Sequence, residues 1–162
     1  MRKDEFKKLF DTYFDAVRSF LYYRAGDTDL STDIAQDTFM RIWEKQMIPE
    51  AGKEKALLFK IANDLFISRY RKNATAQKHV ESIKLQEKQS LTVEDEYQYK
   101  ELKTKYEQAL ARLPDKQRTV FLMSRLEELK YYEIAERLNI SVKAVEKRMK
   151  NALDFLKREL KT

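Results

Sequence analysis

The segment that most constrains the fold of this chain is residues 132–145, where two helical patterns meet across a tight turn. Three apolar side chains share one face of the first helix by their spacing of one and three: Ile134, Ala135 and Leu138. Asn139 can adopt the left-handed conformation that ends a helix. Ser141 can then cap the next helix, because its hydroxyl accepts from free backbone amides. The segment therefore predicts a helix-turn-helix.

The second helix of this motif is predicted to have an apolar face and a charged face. The apolar positions recur at helical spacing: Val142, Val145, Met149, Ala152, Leu153 and Leu156. The outward positions are Lys143, Glu146, Lys147, Arg148, Lys150 and Asn151. A mostly cationic face on the second helix is typical of motifs that read the major groove of DNA. The alternative is an ordinary helical hairpin whose lysines are simply solvated.

The rest of the chain also favours helices. Only 2 Gly and 2 Pro occur in 162 residues, and 37% of the residues are charged, so few positions interrupt a helix. We therefore predict an all-α fold. The formal net charge of +6 suggests an acidic partner such as nucleic acid, although basicity alone is weak evidence.

Several functional classes are excluded or disfavoured by residue usage. The chain has no cysteine, so it has no disulfide or thiol chemistry, and a reducing cytoplasm fits. Its one histidine, His79, has no second histidine with which to hold a metal. No apolar run approaches the roughly 18 residues needed to span a bilayer, and Met1 to Lys8 does not resemble a signal peptide. We expect a cytoplasmic protein with no catalytic residues, no metal, no cofactor and no membrane insertion.

The N-terminal half is predicted to contain three helices. The first has an aromatic face and ends at Gly26 and Asp27. The second buries Ile34, Thr38 and Ile42, whereas its opposite face combines acidic residues with Met40 and borders on Trp43. Such a face would suit a basic groove on another protein. Alternatively, Met40 and Trp43 complete the core of a small bundle.

The third helix is predicted from about Ala56 to Lys72 and follows a loop over residues 47–55 that contains Pro49 and Gly52. Its C-terminal end combines cations with nearby aromatic residues: Phe59, Phe66, Arg69, Tyr70, Arg71 and Lys72. Such a group can neutralise phosphates and offer ring faces to unstacked bases. The cations alone would also favour a helix C-terminus electrostatically.

A polar segment over residues 74–93 loses the apolar periodicity and is predicted to be a flexible linker between two helical bundles, residues 1–73 and 94–162. The helix that follows has five candidate core positions: Tyr97, Leu102, Tyr106, Leu110 and Leu113. Pro114 is predicted to lie in the first turn of the next helix, where its missing amide costs nothing.

Three stretches resemble bacterial RNA polymerase sigma factors, specifically the small extracytoplasmic-function (ECF) type. Ser31 to Trp43 resembles the signature helix of that family. Leu58 to Leu65, together with Arg69 and Arg71, resembles its promoter-melting helix. Leu110 to Leu156 resembles its C-terminal domain, including the segments EIAERL and SVKAVEKRMKNAL. The three stretches occur in the family's order and span nearly all of the chain except the linker.

The resemblance implies partners and a role for each surface. It places binding to the clamp helices of the largest polymerase subunit on Asp33, Gln36, Asp37, Met40 and Trp43. It places opening of the −10 element on Asn63, Asp64, Arg69, Arg71 and Lys72, with a flipped base held by the loop 47–55. It places −35 recognition on Lys143, Glu146, Lys147, Arg148, Lys150 and Asn151. It further implies contact with the polymerase flap and an anti-sigma partner, although no residue of the chain itself indicates an anti-sigma factor.

The match has departures that bear on promoter sequence. The family usually has Asn where Asp64 stands and Asp where Ser68 stands, and Glu146 departs from the usual recognition helix. Because of the departure at Glu146, the −35 sequence that the family reads cannot be carried over to this chain.

A dimeric helix-turn-helix regulator would need only the second half of the chain and would leave the Met40 surface unexplained. An enzyme is disfavoured because no phosphate loop or metal-spaced cluster occurs. An adaptor that only binds proteins lies between these alternatives.

Overall fold

The computed structural model describes residues 1–72, 83–85 and 93–161, apart from the side chains of residues 70–72 and 93–96. These residues form seven α-helices and no strand, which confirms the predicted all-α fold. In chain order the helices are α1 (Lys3–Ala25), α2 (Thr28–Glu44), α3 (Glu54–Lys72), α4 (Val93–Arg112), α5 (Asp115–Leu126), α6 (Tyr131–Leu138) and α7 (Val142–Leu160). No helix in the described ranges is long and apolar enough to cross a membrane.

Helices α1 to α3 pack into an N-terminal bundle with an aromatic core. α1 ends at Gly26, whose φ of 66° is left-handed and whose N–H donates to the Tyr22 carbonyl at 2.8 Å. Asp27 caps the N-terminus of α2, because its side chain accepts the Leu30 N–H at 3.1 Å. In the core, the rings of Phe20 and Phe59 meet edge to face with centroids 5.3 Å apart. Burying each such side chain contributes about 1.5–3 kcal/mol, so the bundle rests mainly on these apolar contacts.

The predicted helix-turn-helix is present. Asn139 ends α6 with a φ of 54°, and the Ser141 hydroxyl accepts the Ala144 N–H at 3.1 Å. Ile134 and Ala135 are buried on α6, and a buried stripe follows on α7: Val145, Met149, Ala152 and Leu156. Val142 was predicted to be buried and is 41% exposed. It is the first residue of α7, and the buried stripe begins one turn later.

Two further predictions about α4 and α5 are wrong. Tyr97 and Leu102 are exposed rather than buried, because none of the side chains of residues 97–105 is buried and the buried part of α4 lies closer to its C-terminus. Pro114 precedes α5 at the N-cap position instead of lying in its first turn. Its fixed φ, here −55°, still suits entry into the helix.

The two halves of the chain pack against each other. α1 contacts α5, and α3 contacts α6. Most of the predicted linker, residues 74–93, lies outside the described residues, and Val93 already belongs to α4. The described residues 83–85 are held in place: Ile83 is buried and its N–H donates to the Glu107 carbonyl at 3.2 Å, while the Lys84 N–H donates to the Tyr22 hydroxyl at 2.8 Å. This middle part of the segment is therefore anchored to α1 and α4. The predicted domain boundaries stay a prediction.

Candidate functional site

The first candidate surface is the outward side of α7, here called the α7 face: Lys143, Glu146, Lys147, Arg148, Lys150 and Asn151. All six side chains are exposed or half-exposed. Within the described residues, none of the charged members forms an ion pair with an opposite charge. Four cations and one carboxylate therefore point outward from one helix, which suits a polyanionic ligand.

The α7 face is fixed in position from behind. Val145 and Ala152 are fully buried against the helices packed under α7, which include α5 and α6. At its end, α7 is tied to α4 by the Arg112–Glu159 ion pair at 2.6 Å. A helix held on its apolar side presents its charged side without further rearrangement.

The second candidate surface is the outward side of α2, here called the α2 face: Asp33, Gln36, Asp37, Met40 and Trp43. Met40 is 52% exposed, so it does not complete the bundle core. Trp43 is half-buried, and its ring centroid lies 5.1 Å from that of Phe6. Trp43 therefore contributes to the bundle core only with part of its surface. Acidic and amide side chains surround one exposed apolar side chain, which is the composition expected of a small docking site for a basic partner.

Asp37 connects the α2 face to α3. Its carboxylate forms an ion pair with Arg69, which was predicted on the separate −10 surface. Both side chains are about a third or more exposed, so the pair contributes only about 0–1 kcal/mol in the free protein. Arg69 can therefore exchange Asp37 for a phosphate at little cost. The side chains of Arg71 and Lys72 lie outside the described residues.

On α3 the predicted −10 residues differ in accessibility. Asp64 is exposed, whereas Asn63 is half-buried and its Oδ1 accepts a hydrogen bond from Arg24. Phe59 and Phe66 were offered as surfaces for unstacked bases, but both are buried, which makes that interpretation wrong. They are core residues because they sit on the side of α3 that packs against α1 and α6.

The loop between α2 and α3 has one feature that the sequence reasoning missed. Ile48 is 73% exposed, although it is large and apolar. The available signal was its position just before Pro49, which keeps the chain extended there and takes Ile48 out of either helix. Gly52 supplies a φ of +83°, so this loop turns sharply before α3 begins.

The junction between the halves contains ionisable groups with shifted pKa values. Burial raises the pKa of the Tyr23 hydroxyl to about 12. Burial also raises the pKa of the Glu127 carboxyl, and the nearby Arg137 guanidinium only partly offsets this. The Glu127 Oε2 atom is buried and has no hydrogen-bond partner among the described residues. Tyr23, Glu127 and Arg137 therefore form part of the packing between the two halves. Among the described residues, no cluster of potential metal ligands occurs.

Comparisons with known proteins agree on one family. Residues 9–75 match the model of sigma-70 region 2, and residues 103–156 match the model of sigma-70 region 4. The chain is 28% identical to the ferric citrate uptake sigma factor FecI of Escherichia coli K12, over 92% of this chain and 87% of that protein. It is 29% identical to the ECF RNA polymerase sigma factor SigW of Bacillus subtilis 168, over 98% of this chain and 90% of that protein.

A solved structure has the same fold. It is the sigma factor RpoE, determined in complex with the anti-sigma factor NepR from Bartonella quintana. The TM-score is 0.66, with 98% of each chain covered and 20% sequence identity. At that identity the likeness supports the fold alone.

Proposed function

The chain belongs to the ECF type of sigma factors, which direct transcription initiation, and from that premise we propose how its surfaces divide the work. The α2 face binds core RNA polymerase, α3 with the preceding loop opens the −10 element, and the α7 face reads the −35 element. One observation carries the proposal. The same chain exposes an acidic surface around Met40 and, on another helix, a cationic surface whose charged side chains form no ion pair with any described residue.

The polymerase contact is assigned to the α2 face because its chemistry suits a protein partner better than DNA. Asp33 and Asp37 would repel phosphates but would attract basic side chains on the clamp helices of the largest polymerase subunit. Met40 adds apolar area at the centre, and its flexible thioether adapts to an irregular groove. The flap of the polymerase is the proposed second contact, made by the C-terminal half.

The −35 contact is assigned to the α7 face. Its cations neutralise backbone phosphates, which gives an affinity that weakens steeply with salt. Base reading requires side chains that form bidentate contacts, each worth about 1–3 kcal/mol of discrimination. Glu146 repels phosphate but can accept a hydrogen bond from a cytosine amino group. It therefore favours sequence discrimination over general affinity.

The −10 contact is assigned to α3 and the loop before it. Asn63 and Asp64 offer hydrogen-bonding groups to bases, and Arg69 offers a charge to phosphates; Arg71 and Lys72 are assigned the same phosphate-binding role from the sequence. Holding unstacked bases offsets the few kcal/mol that unpairing costs. Joining two modest DNA-binding surfaces in one chain raises the effective concentration of the second after the first is bound.

The main alternative is a dimeric helix-turn-helix regulator that does not bind core polymerase. It would use the α7 face but would give no role to the α2 face.

For the sigma factor we also propose an anti-sigma partner, by analogy with the complex between RpoE and NepR.

In vitro transcription with purified core polymerase and a library of promoter sequences tests the proposal. We expect RNA synthesis from defined start sites that share two sequence elements. Synthesis that depends on the chain but shows no common upstream element would contradict the assignment of the α7 face. DNA binding without any synthesis would favour the regulator.

A further inference from the structure

A buried arginine joins the two halves of the chain. Arg118 on α5 is only 2% exposed, and its guanidinium donates to backbone carbonyls at the ends of two helices. At the end of α1 it reaches the carbonyls of Tyr23 at 2.6 Å and Arg24 at 2.5 Å. At the end of α4 it reaches the Leu113 carbonyl at 2.9 Å, with longer bonds to Ala111 and Leu110. The last carbonyls of a helix lack partners within it and carry partial negative charge, so one cation stabilises both ends.

A second arginine extends the junction to α3. The Arg24 side chain, on α1, bonds the Asp115 carboxylate of α5 through two nitrogens at 2.9 and 3.1 Å. Its remaining terminal nitrogen donates to Asn63, and its guanidinium lies over the Phe66 ring, 4.3 Å from the centroid. Arg24 therefore links the first residue of α5 to a residue of the proposed −10 surface. The pair is well shielded, with side chains 11% and 32% exposed.

A third contact brings the helix-turn-helix onto α3. Arg137 of α6 lies over the Phe59 ring at 5.4 Å. The same guanidinium is 3.9 Å from Glu127 Oε1, and the other carboxylate oxygen of Glu127 is buried with no hydrogen-bond partner among the residues that the structure describes. An unsatisfied buried oxygen is costly, so this part of the junction is imperfect. The junction therefore combines strong contacts with a weaker one. We expect the two halves of the chain to be able to separate and to pack together again.

We propose that these contacts, centred on Arg24, Asp115 and Arg118, form an interdomain clasp that holds the free protein closed and must open before α3 can receive the −10 strand. The clasp occupies the Asn63 side chain and packs α6 on α3. It also fixes the distance between α3 and α7. In the proposed function these two helices must instead match the distance between the −10 and −35 elements on DNA. The requirement that the clasp open before α3 receives DNA, here called gating, rests on the proposed function. The existence of the clasp does not.

Arg118 is a poor residue to mutate, because it also caps α4 and its loss could unfold the C-terminal half. Asp115 is better suited, since among described side chains its carboxylate pairs with Arg24. Asp115→Arg places two cations together and should open the clasp. The double variant Arg24→Asp with Asp115→Arg exchanges the charges and should close it again in part. Asp29→Arg is the matched control, because Asp29 is an exposed acidic residue in the first turn of α2.

The absence of cysteine permits specific labelling of the full chain. Dyes at Asp15→Cys on α1 and Lys157→Cys on α7, both exposed positions, report the distance between the halves by single-molecule energy transfer. We expect one narrow population for the unmodified sequence and for Asp29→Arg. For Asp115→Arg we expect an open to closed ratio at least about tenfold higher, with unchanged helicity by circular dichroism. Identical transfer in Asp115→Arg and the unmodified sequence, or no recovery in the charge exchange, would overturn the clasp.

Gating is tested by transcription with core polymerase at increasing concentrations of each protein. If the clasp gates α3, Asp115→Arg should need a lower concentration for half-maximal initiation, because the binding-competent fraction has increased. An open population with an unchanged half-maximal concentration would overturn the gating. If neither protein supports synthesis, the proposed function fails, whereas the clasp is still judged by energy transfer alone.

Discussion

Replacing Lys147 with alanine should reduce the salt dependence of DNA binding in a way that can be calculated. The α7 face carries four exposed or half-exposed cations: Lys143, Lys147, Arg148 and Lys150. If each neutralises one phosphate, the slope of log K against log salt concentration is about −3.6. Raising salt from about 50 to 200 mM should then weaken binding roughly a hundredfold. Lys147→Ala should change that slope by about one unit.

The assay is fluorescence anisotropy of a labelled promoter duplex, titrated with the full chain at four or five salt concentrations. Lys8→Ala is the control, because Lys8 is an exposed cation that belongs to α1 and not to the α7 face. We expect Lys8→Ala to leave the slope unchanged. An identical slope for Lys147→Ala and the unmodified sequence would refute the assignment of the α7 face to DNA.

Two further predictions concern stability. Ser141→Ala removes the N-cap of α7 and should lower the free energy of unfolding by about 1 kcal/mol in urea titrations, whereas Ser68→Ala, on the exposed side of α3, should change it little. Burial raises the pKa of Glu127 in the folded protein, so its contribution to stability is present at acidic pH and is lost as pH rises through that pKa. Glu127→Gln should therefore stabilise the protein increasingly as pH rises above 4.5, the ordinary carboxyl pKa, measured as the difference in melting temperature; a constant difference would contradict the burial argument.

The helix-turn-helix could be predicted from sequence because its determinants are local. Asn139 stops one helix and Ser141 starts the next through bonds that span only a few residues. The break at Gly26 was predictable for the same reason. By contrast, whether Met40 joined the core depended on which helices pack beside α2, and the pattern left both alternatives open. The structure resolves this by leaving Met40 half exposed.

The junction between the halves could not be predicted, because its contacts join distant positions. Arg118 bonds carbonyls more than 90 residues away in sequence, and Arg24 bonds Asp115 across a similar separation. Nothing in the spacing of these residues indicates that they meet. Ile83 illustrates the same limit, since one apolar residue in a polar segment is buried by tertiary contacts that its neighbours do not predict.

The most direct test of the whole account is a titration of core RNA polymerase with the fluorescently labelled chain. We predict saturable binding that is abolished by the double variant Asp37→Ala with Met40→Ala, whereas Tyr97→Ala, which removes another exposed apolar side chain, binds normally. Circular dichroism should show unchanged helicity in both variants. Failure of the folded, unmodified chain to bind core polymerase would contradict the account, even if its α7 face bound DNA tightly.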